Sequence, residues 1–184
     1  MASARSRLRV EIRPLVRADL QEVMNIDRLS NPCPWSHSDF MAYFRQGVAL
    51  MHVAEAMVFG RPTVAGFLVY YGDIGANMVH VTNIAVHPAL RRRRVGAQLL
   101  MYLVARKTMG EHPRRLEVIV PERSVGAQLW LKKLKFAAES TVHGCFGDGP
   151  EAQDGYLFVC SQGGEASHEV CCAVKPSGWG ESGA

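Results

Sequence analysis

The stretch VTNIAVHPALRRRRVGAQLL, residues 81–100, constrains the fold more than any other part of the chain. It starts as an apolar strand and breaks at Pro88. Four consecutive arginines follow, and apolar residues then return at Val95, Leu99 and Leu103, the i, i+4, i+8 spacing of a helix. A second apolar strand, RLEVIV at 115–120, comes after the helix. A strand–helix–strand crossover lays its two strands side by side and parallel, with the helix on one face. A mixed α/β sheet is therefore expected around strands 78–87 and 115–120.

The remaining elements fit around that unit. LRVEI at 8–12 alternates as a strand, and Leu20, Val23 and Met24 have helical spacing. SNPCPWS at 30–36 is a proline-broken loop. Ser36 with Asp39 forms a capping-box pattern that opens a short helix through Phe40, Tyr43 and Phe44. VALMHVAEA and TVAGFLVYYG, joined at GRP, read as antiparallel strands leading into 78–87. The helix after the arginines should run to about Thr108. Ala127, Trp130, Leu131 and Leu134 mark the last helix, with Ser124 as its expected cap. ESTVH and GYLFVC close the sheet. The expected order is β-α-α-β-β-β-α-β-α-β-β. It forms one domain over 8–161, followed by a small, polar, disordered tail over 162–184 that carries Cys171 and Cys172.

The totals exclude several classes. A chain of 184 residues with 48% hydrophobic and 21% charged residues has ordinary globular composition. Five cysteines, an odd number without CxxC spacing, read as reduced thiols, not a disulfide frame or zinc site, and no metal is expected. The basic N-terminus precedes no apolar h-region, so neither a signal peptide nor a membrane span is expected and the location is read as cytoplasmic. A net charge of +4 suits an anionic ligand without demanding nucleic acid.

The arginine turn has the chemistry of an anion cradle. A turn opening a helix presents backbone N–H groups and the positive end of the helix dipole. Gly96 and Ala97 allow close backbone approach, and arginine adds charge-assisted contacts to phosphate. A solvated basic face and an RNA contact are the competing readings. Neither the Walker spacing G-x-x-x-x-G-K-[ST] nor G-x-G-x-x-G is present.

The stretch NIAVHPALRRRRVGAQLL resembles motif A of the GNAT superfamily of acetyl-CoA-dependent N-acetyltransferases, in which a strand and a proline precede [Arg/Gln]-x-x-Gly-x-[Gly/Ala] at a helix start. Anchored on Pro88, that motif falls on Arg91, Arg92, Arg93, Arg94, Val95 and Gly96, with Arg94 where the family has its first glycine. PWS at 34–36, NIAV at 83–86, LEV at 116–118 and LKF at 134–136 fall in order as in RimI-type ribosomal-protein-alanine N-terminal acetyltransferases. The resemblance implies a GNAT-like mixed sheet whose two parallel strands splay. Ile84, Ala85 and Val86 would lie along the pantetheine arm of acetyl-CoA. Arg91, Arg92, Arg93, Arg94, Val95, Gly96 and Ala97 would surround the pyrophosphate, with Ser124 at the family's asparagine position.

The resemblance also implies a glutamate base and a tyrosine acid. Aligned without gaps from Phe136, those positions hold Ile119 and Leu131. Glu117 shares a strand face with Ile119 and is the candidate base, acting through water; a solvent-facing strand carboxylate is the competing reading. Trp130 reads as core packing, and His80, His143 and Tyr156 are the other titratable candidates. A backbone N–H near Val86 would stabilise the oxyanion. A weak base favours an acceptor that sheds its proton easily. An α-amine, with a pKa of roughly 7.7–8.0, does so far better than a lysine near 10.4. The expected acceptor is therefore a peptide or protein N-terminus, ribosomal proteins included. Trp35 and Phe146 would wall its groove. Small amines, lysine side chains, and a non-catalytic acyl-CoA- or RNA-binding role are the alternatives.

Overall fold

The computed structural model describes residues 6–46, 49–73, 76–105, 115–147 and 152–161. Among the described residues, seven strands and four α-helices follow in the expected order: β1 (Glu11–Pro14), α1 (Leu20–Ser30), α2 (His37–Gln46), β2 (Leu50–Val58), β3 (Arg61–Asp73), β4 (Met78–Val86), α3 (Val95–Ala105), β5 (Arg115–Pro121), α4 (Val125–Lys133), β6 (Ala137–Phe146) and β7 (Gln153–Ser161). The sheet order is β1-β2-β3-β4-β5-β7-β6. β4 and β5 pair in parallel, and every other pair is antiparallel. The helix α3 supplies the crossover that a parallel pair requires.

One face carries α3 and α4. There Leu99, Leu103 and Leu131 pack with Leu68, Val81, Leu116 and Phe158 in the larger core. The opposite face carries α1 and α2, which bury Val23, Ile26 and Phe40 against Val53, Phe67 and Ala85. Beyond β4 on that second face, Val142, Leu157, Val159 and Ile119 make a small cluster among strand residues, and no described helix covers it.

β4 and β5 are bonded only from Met78↔Arg115 to Val81↔Val118. Past that point β4 stays with β3 and β5 stays with β7, so a V opens between them. A bulge sits at the vertex: Val69 pairs with Asn83 but Tyr70 with Val81, which leaves Thr82 as the extra residue. The Thr82 hydroxyl donates to Val69 O at 3.1 Å. A bulge reverses the facing of later side chains. Val79 and Val81 thus face α3 and α4, whereas Asn83 and Ala85 face α1 and α2.

Several expected boundaries move. The first strand was expected at 8–12, but the paired segment is Glu11–Pro14. Leu8 instead gives its N–H to Arg93 O at 3.1 Å, and Gln98 Nε2 donates to Leu8 O at 2.8 Å, so the chain crosses the start of α3 before entering the sheet. β4 stops at Val86, one residue short, because Pro88 opens a 3-10 turn over 88–90. The capping box is present: Ser36 N–H donates to Asp39 Oδ2 at 2.6 Å, and Asp39 N–H donates to Ser36 Oγ at 3.2 Å. Ser124 makes no side-chain cap of α4; its backbone carbonyl takes that part, accepting from Ala127 and Gln128. The tail over 162–184 and the helix end beyond Ala105 lie outside the described residues.

Candidate active site

The arginine turn is held in shape by its own backbone. Arg92 and Arg94 have φ of 65° and 64°, the left-handed region that favours glycine. Arg94 therefore adopts the conformation that a glycine at this motif position would supply freely. Arg94→Gly is expected to raise stability by about 1 kcal/mol through relief of that strain, and to weaken acetyl-CoA binding by about tenfold through loss of one cation. Thermal unfolding beside calorimetry of CoA binding checks this; a loss of stability would mean that Arg94 makes contacts outweighing its backbone strain.

The four side chains divide their work. Arg91 Nε donates to Val86 O at 3.2 Å and clamps the turn to β4, while Arg93 Nε donates to Ser6 O at 3.4 Å on the N-terminal segment. Arg92 and Arg94 are exposed, with no side-chain hydrogen bond to a described residue. The turn thus offers two uncommitted cations beside the N–H groups of the first turn of α3. Gly96 is needed for space: a Cβ there would lie 3.0 Å from Trp130 Cζ2 and 3.5 Å from Val86 Cγ2. Trp130 is a packing residue, as expected, and it covers the start of α3.

Within the V, β4 presents backbone. His87 N–H donates to Ala65 O of β3 at 2.9 Å. Alternation along an antiparallel ladder then turns the N–H and C=O of Ile84 and Val86 away from β3, towards the gap. An oxyanion donor from Val86 is consistent with this geometry.

Glu117 is not the open carboxylate that a water-relayed base would use. It is 7% exposed and sits level with His80, at the closed end of the V. One oxygen accepts from Arg115 Nε at 2.5 Å, and the other meets His80 Nδ1 at 2.8 Å. Arg115 Nη2 continues to Glu139 at 2.8 Å, and the His80 ring stacks on Tyr71 with centroids 4.7 Å apart. Burial pushes the Glu117 carboxyl up, but hydrogen bonds from His80 and Arg115 outweigh it and hold the pKa below the ordinary glutamate value. The carboxylate is thereby a weak base whose two oxygens are both engaged. Of the other candidates, His143 is exposed and paired with Asp154 at 2.8 Å. Tyr156 donates to Glu122 at 3.2 Å, a bond that raises its phenol pKa. Ile119 and Leu131 are apolar packing residues, and Leu131 is fully buried.

A polar cluster that sequence reasoning missed ties the α1–α2 loop to β4. Asp27 is fully buried. Its carboxylate accepts from Trp35 N–H at 2.6 Å, from Asn83 Nδ2 at 3.1 Å, and from Asn31 Nδ2. Asn31 Nδ2 also donates to Asn83 Oδ1 at 3.1 Å. Burial pushes the Asp27 carboxyl up, and the three N–H donors pull it partly back. A signal was present in the sequence: Asp27 lies on the apolar face set by Val23 and Ile26.

Trp35 does not stand free as a groove wall. Its ring stacks on Tyr43, centroids 4.6 Å apart, and meets Phe40 edge-on at 5.1 Å, so it packs the corner leading into α2. The loop itself faces Gly147, just past the end of β6, with Cys33 Sγ 4.0 Å from where a Cβ on that glycine would be. Phe146 lies over Gly155, its Cε2 2.7 Å from a Cβ built there, beside Ile119 Cγ2 at 2.8 Å. It thus borders Ile119, which shares a face of β5 with Glu117. The site is a V with the arginine turn at its mouth, and the 31–36 loop and Phe146 stand beside it.

The comparisons agree with this geometry. The Acetyltransferase (GNAT) family model matches residues 20–136, more than half of the chain. No curated protein matches. The ribosomal-protein-S18-alanine N-acetyltransferase of Escherichia coli is similar in structure, with a TM-score of 0.66, 20% identity, and 88% of this chain and 100% of that chain covered. Arabidopsis thaliana NAA60 in complex with acetyl-CoA gives 0.69 and 19%, with 83% and 98% covered. The spermidine/spermine N-acetyltransferase SpeG of Vibrio cholerae gives 0.64 and 13%, with 83% and 94% covered. At these identities the likeness is one of fold.

Proposed function

Since the chain belongs to the GNAT acetyltransferase family and is an acetyl-CoA-dependent acyltransferase, we propose that it moves the acetyl group directly onto the α-amine of a peptide or protein N-terminus. The observation that carries this reading is the acceptor face. The 31–36 loop and Gly147 close on each other beside the V, Cys33 Sγ standing 4.0 Å from where a Cβ on Gly147 would be, and an extended chain end would lie along the strand face they border. The buried, ion-paired Glu117 supports it as well, because a carboxylate with both oxygens engaged is a poor base for a lysine ammonium.

In this reading Arg92, Arg94 and the N–H groups of Val95, Gly96 and Ala97 bind the pyrophosphate. Arg91 and Arg93 hold the turn. Ile84, Ala85 and Val86 line the pantetheine arm, and the Val86 N–H binds the developing oxyanion. Ser124, which precedes α4, is the proposed cofactor contact from the β5 side. Phe146 borders the acceptor, and the 31–36 loop, shaped by Trp35, forms the other side. No described helix is long and apolar enough to cross a membrane. The proposed place of action is the cytoplasm, with ribosomal proteins among the acceptors.

A mass-spectrometric assay with acetyl-CoA tests the acceptor. Peptides with a free small N-terminal residue such as alanine should be acetylated at the α-amine at least about tenfold faster than at internal lysines, in line with the gap between amine pKa values. Acetylation of lysine ε-amines or polyamines alone would overturn the reading.

A further inference from the structure

The geometry points to His80 as the group that takes the proton from the acceptor amine, with Glu117 as the positioning residue behind it. This rests on the acetyltransferase reading but not on which amine is the acceptor. The two residues lie far apart in sequence and meet only because the parallel register sets His80 beside Glu117. They stand on the last-but-one bonded pair before the V opens, on the sheet face that also carries Ile119.

The arrangement has the parts of a carboxylate–imidazole pair. Glu117 holds Nδ1 at 2.8 Å, which fixes the tautomer and leaves Nε2 as the lone-pair nitrogen. Among the described residues Nε2 has no hydrogen-bond partner. Tyr71 of β3 stacks on the ring and fixes its plane. On β5 and β6, Arg115 and Glu139 continue the network, and Arg115 takes the other oxygen of Glu117. Arg115 and the imidazole thus engage one oxygen of Glu117 each. The bulge at Thr82 sets His80 and Asn83 on the same face, so imidazole and acceptor loop share one side of β4.

The step balances without a further reagent. The acceptor ammonium gives one proton to His80 Nε2. The neutral nitrogen attacks the thioester carbonyl carbon and forms the C–N bond. As the tetrahedral species collapses, the C–S bond breaks and the CoA thiolate leaves with the second amine proton. His80 returns its proton to water.

The test is the pH dependence of kcat/KM for wild type, His80→Gln and Glu117→Gln, on whichever amine the wild type acetylates fastest. Glutamine at 80 retains a donor for Glu117 but cannot titrate. His80→Gln should lose about 10–100-fold near pH 6.5, and the deficit should narrow to a few-fold once the acceptor sheds its own proton, above about pH 8.5 for an α-amine and above about pH 10.4 for an alkylamine. Glu117→Gln should lose less, with the same narrowing. Thermal unfolding of both variants separates chemistry from folding, because a purely structural staple lowers Tm without changing the shape of the pH profile. Superimposable profile shapes for wild type and His80→Gln would overturn the pair as catalytic. A wild type that acetylates only small amines would overturn the peptide acceptor while the pair is still measured on those amines. A wild type without turnover on any amine would overturn both.

Discussion

Asp27→Ala should destabilise the protein by about 3–5 kcal/mol, because it removes the acceptor for three N–H donors in a fully buried place. Each unmatched buried donor costs about 1–3 kcal/mol, and the contact between Asn31 and Asn83 recovers part of the total. For a chain of this size that lowers Tm by roughly 10 °C. The function should change selectively. The 31–36 loop loses its tie to β4 through Trp35 N–H, so KM for the acceptor should rise while acetyl-CoA affinity holds. Calorimetry with acetyl-CoA alongside steady-state kinetics checks the split; equal losses at both substrates would mean that the cluster supports the whole sheet. Ionisation gives a second signature. The folded-state pKa of Asp27 is raised, so its stabilising contribution is full below the ordinary aspartate value and is lost as pH rises through the folded pKa. Asp27→Asn, which cannot ionise, should lack that part of the pH dependence.

Gly66→Val should act on the other substrate. A Cβ at Gly66 would sit 2.6 Å from the carbonyl oxygen of Ala85 and 3.3 Å from Val86 Cα. Both are backbone atoms of the strand lining the V, so no side chain can turn aside. Either β3 and β4 part at the Gly66↔Val86 pair or the end of β4 shifts. The expected cost is about 3 kcal/mol, the upper part of the overpacking range. Acetyl-CoA affinity should fall tenfold or more, since about 1.4 kcal/mol suffices for that. Gly126→Ala in α4 is the control. Its Cβ meets open space, so the same kind of change should stabilise by about 0.5–1 kcal/mol. Gly66→Val protein that binds acetyl-CoA at wild-type affinity would show that the end of β4 is not part of the donor site.

The elements were legible because their signals are local. Helical spacing at Val95, Leu99 and Leu103, the Ser36–Asp39 box and the strand–Pro–helix break each involve residues within a few turns of one another, and all three stand in the structure. The crossover rule then made β4 and β5 parallel without any coordinates. The arginine turn was legible as a charge pattern, but its division of labour was not. The chain segment that occupies Arg93 arrives from residue 6, and Arg94 takes the place of a glycine by accepting a left-handed backbone.

What only the tertiary structure decided depends on register. A single bulged residue, Thr82, sets which side chains of β4 look towards α1 and which towards α3, and strict alternation along MVHVTNIAV contains no sign of it. That reversal brings Asn83 to Asp27, 56 positions away. The β4–β5 register likewise puts His80 against Glu117, turning a strand carboxylate that read as a free base into a partner for an imidazole. Periodicity reports how a residue sits relative to its neighbours in the chain. A catalytic or positioning contact between strands is set by how two segments slide past each other, and that is fixed by the packing of the whole sheet.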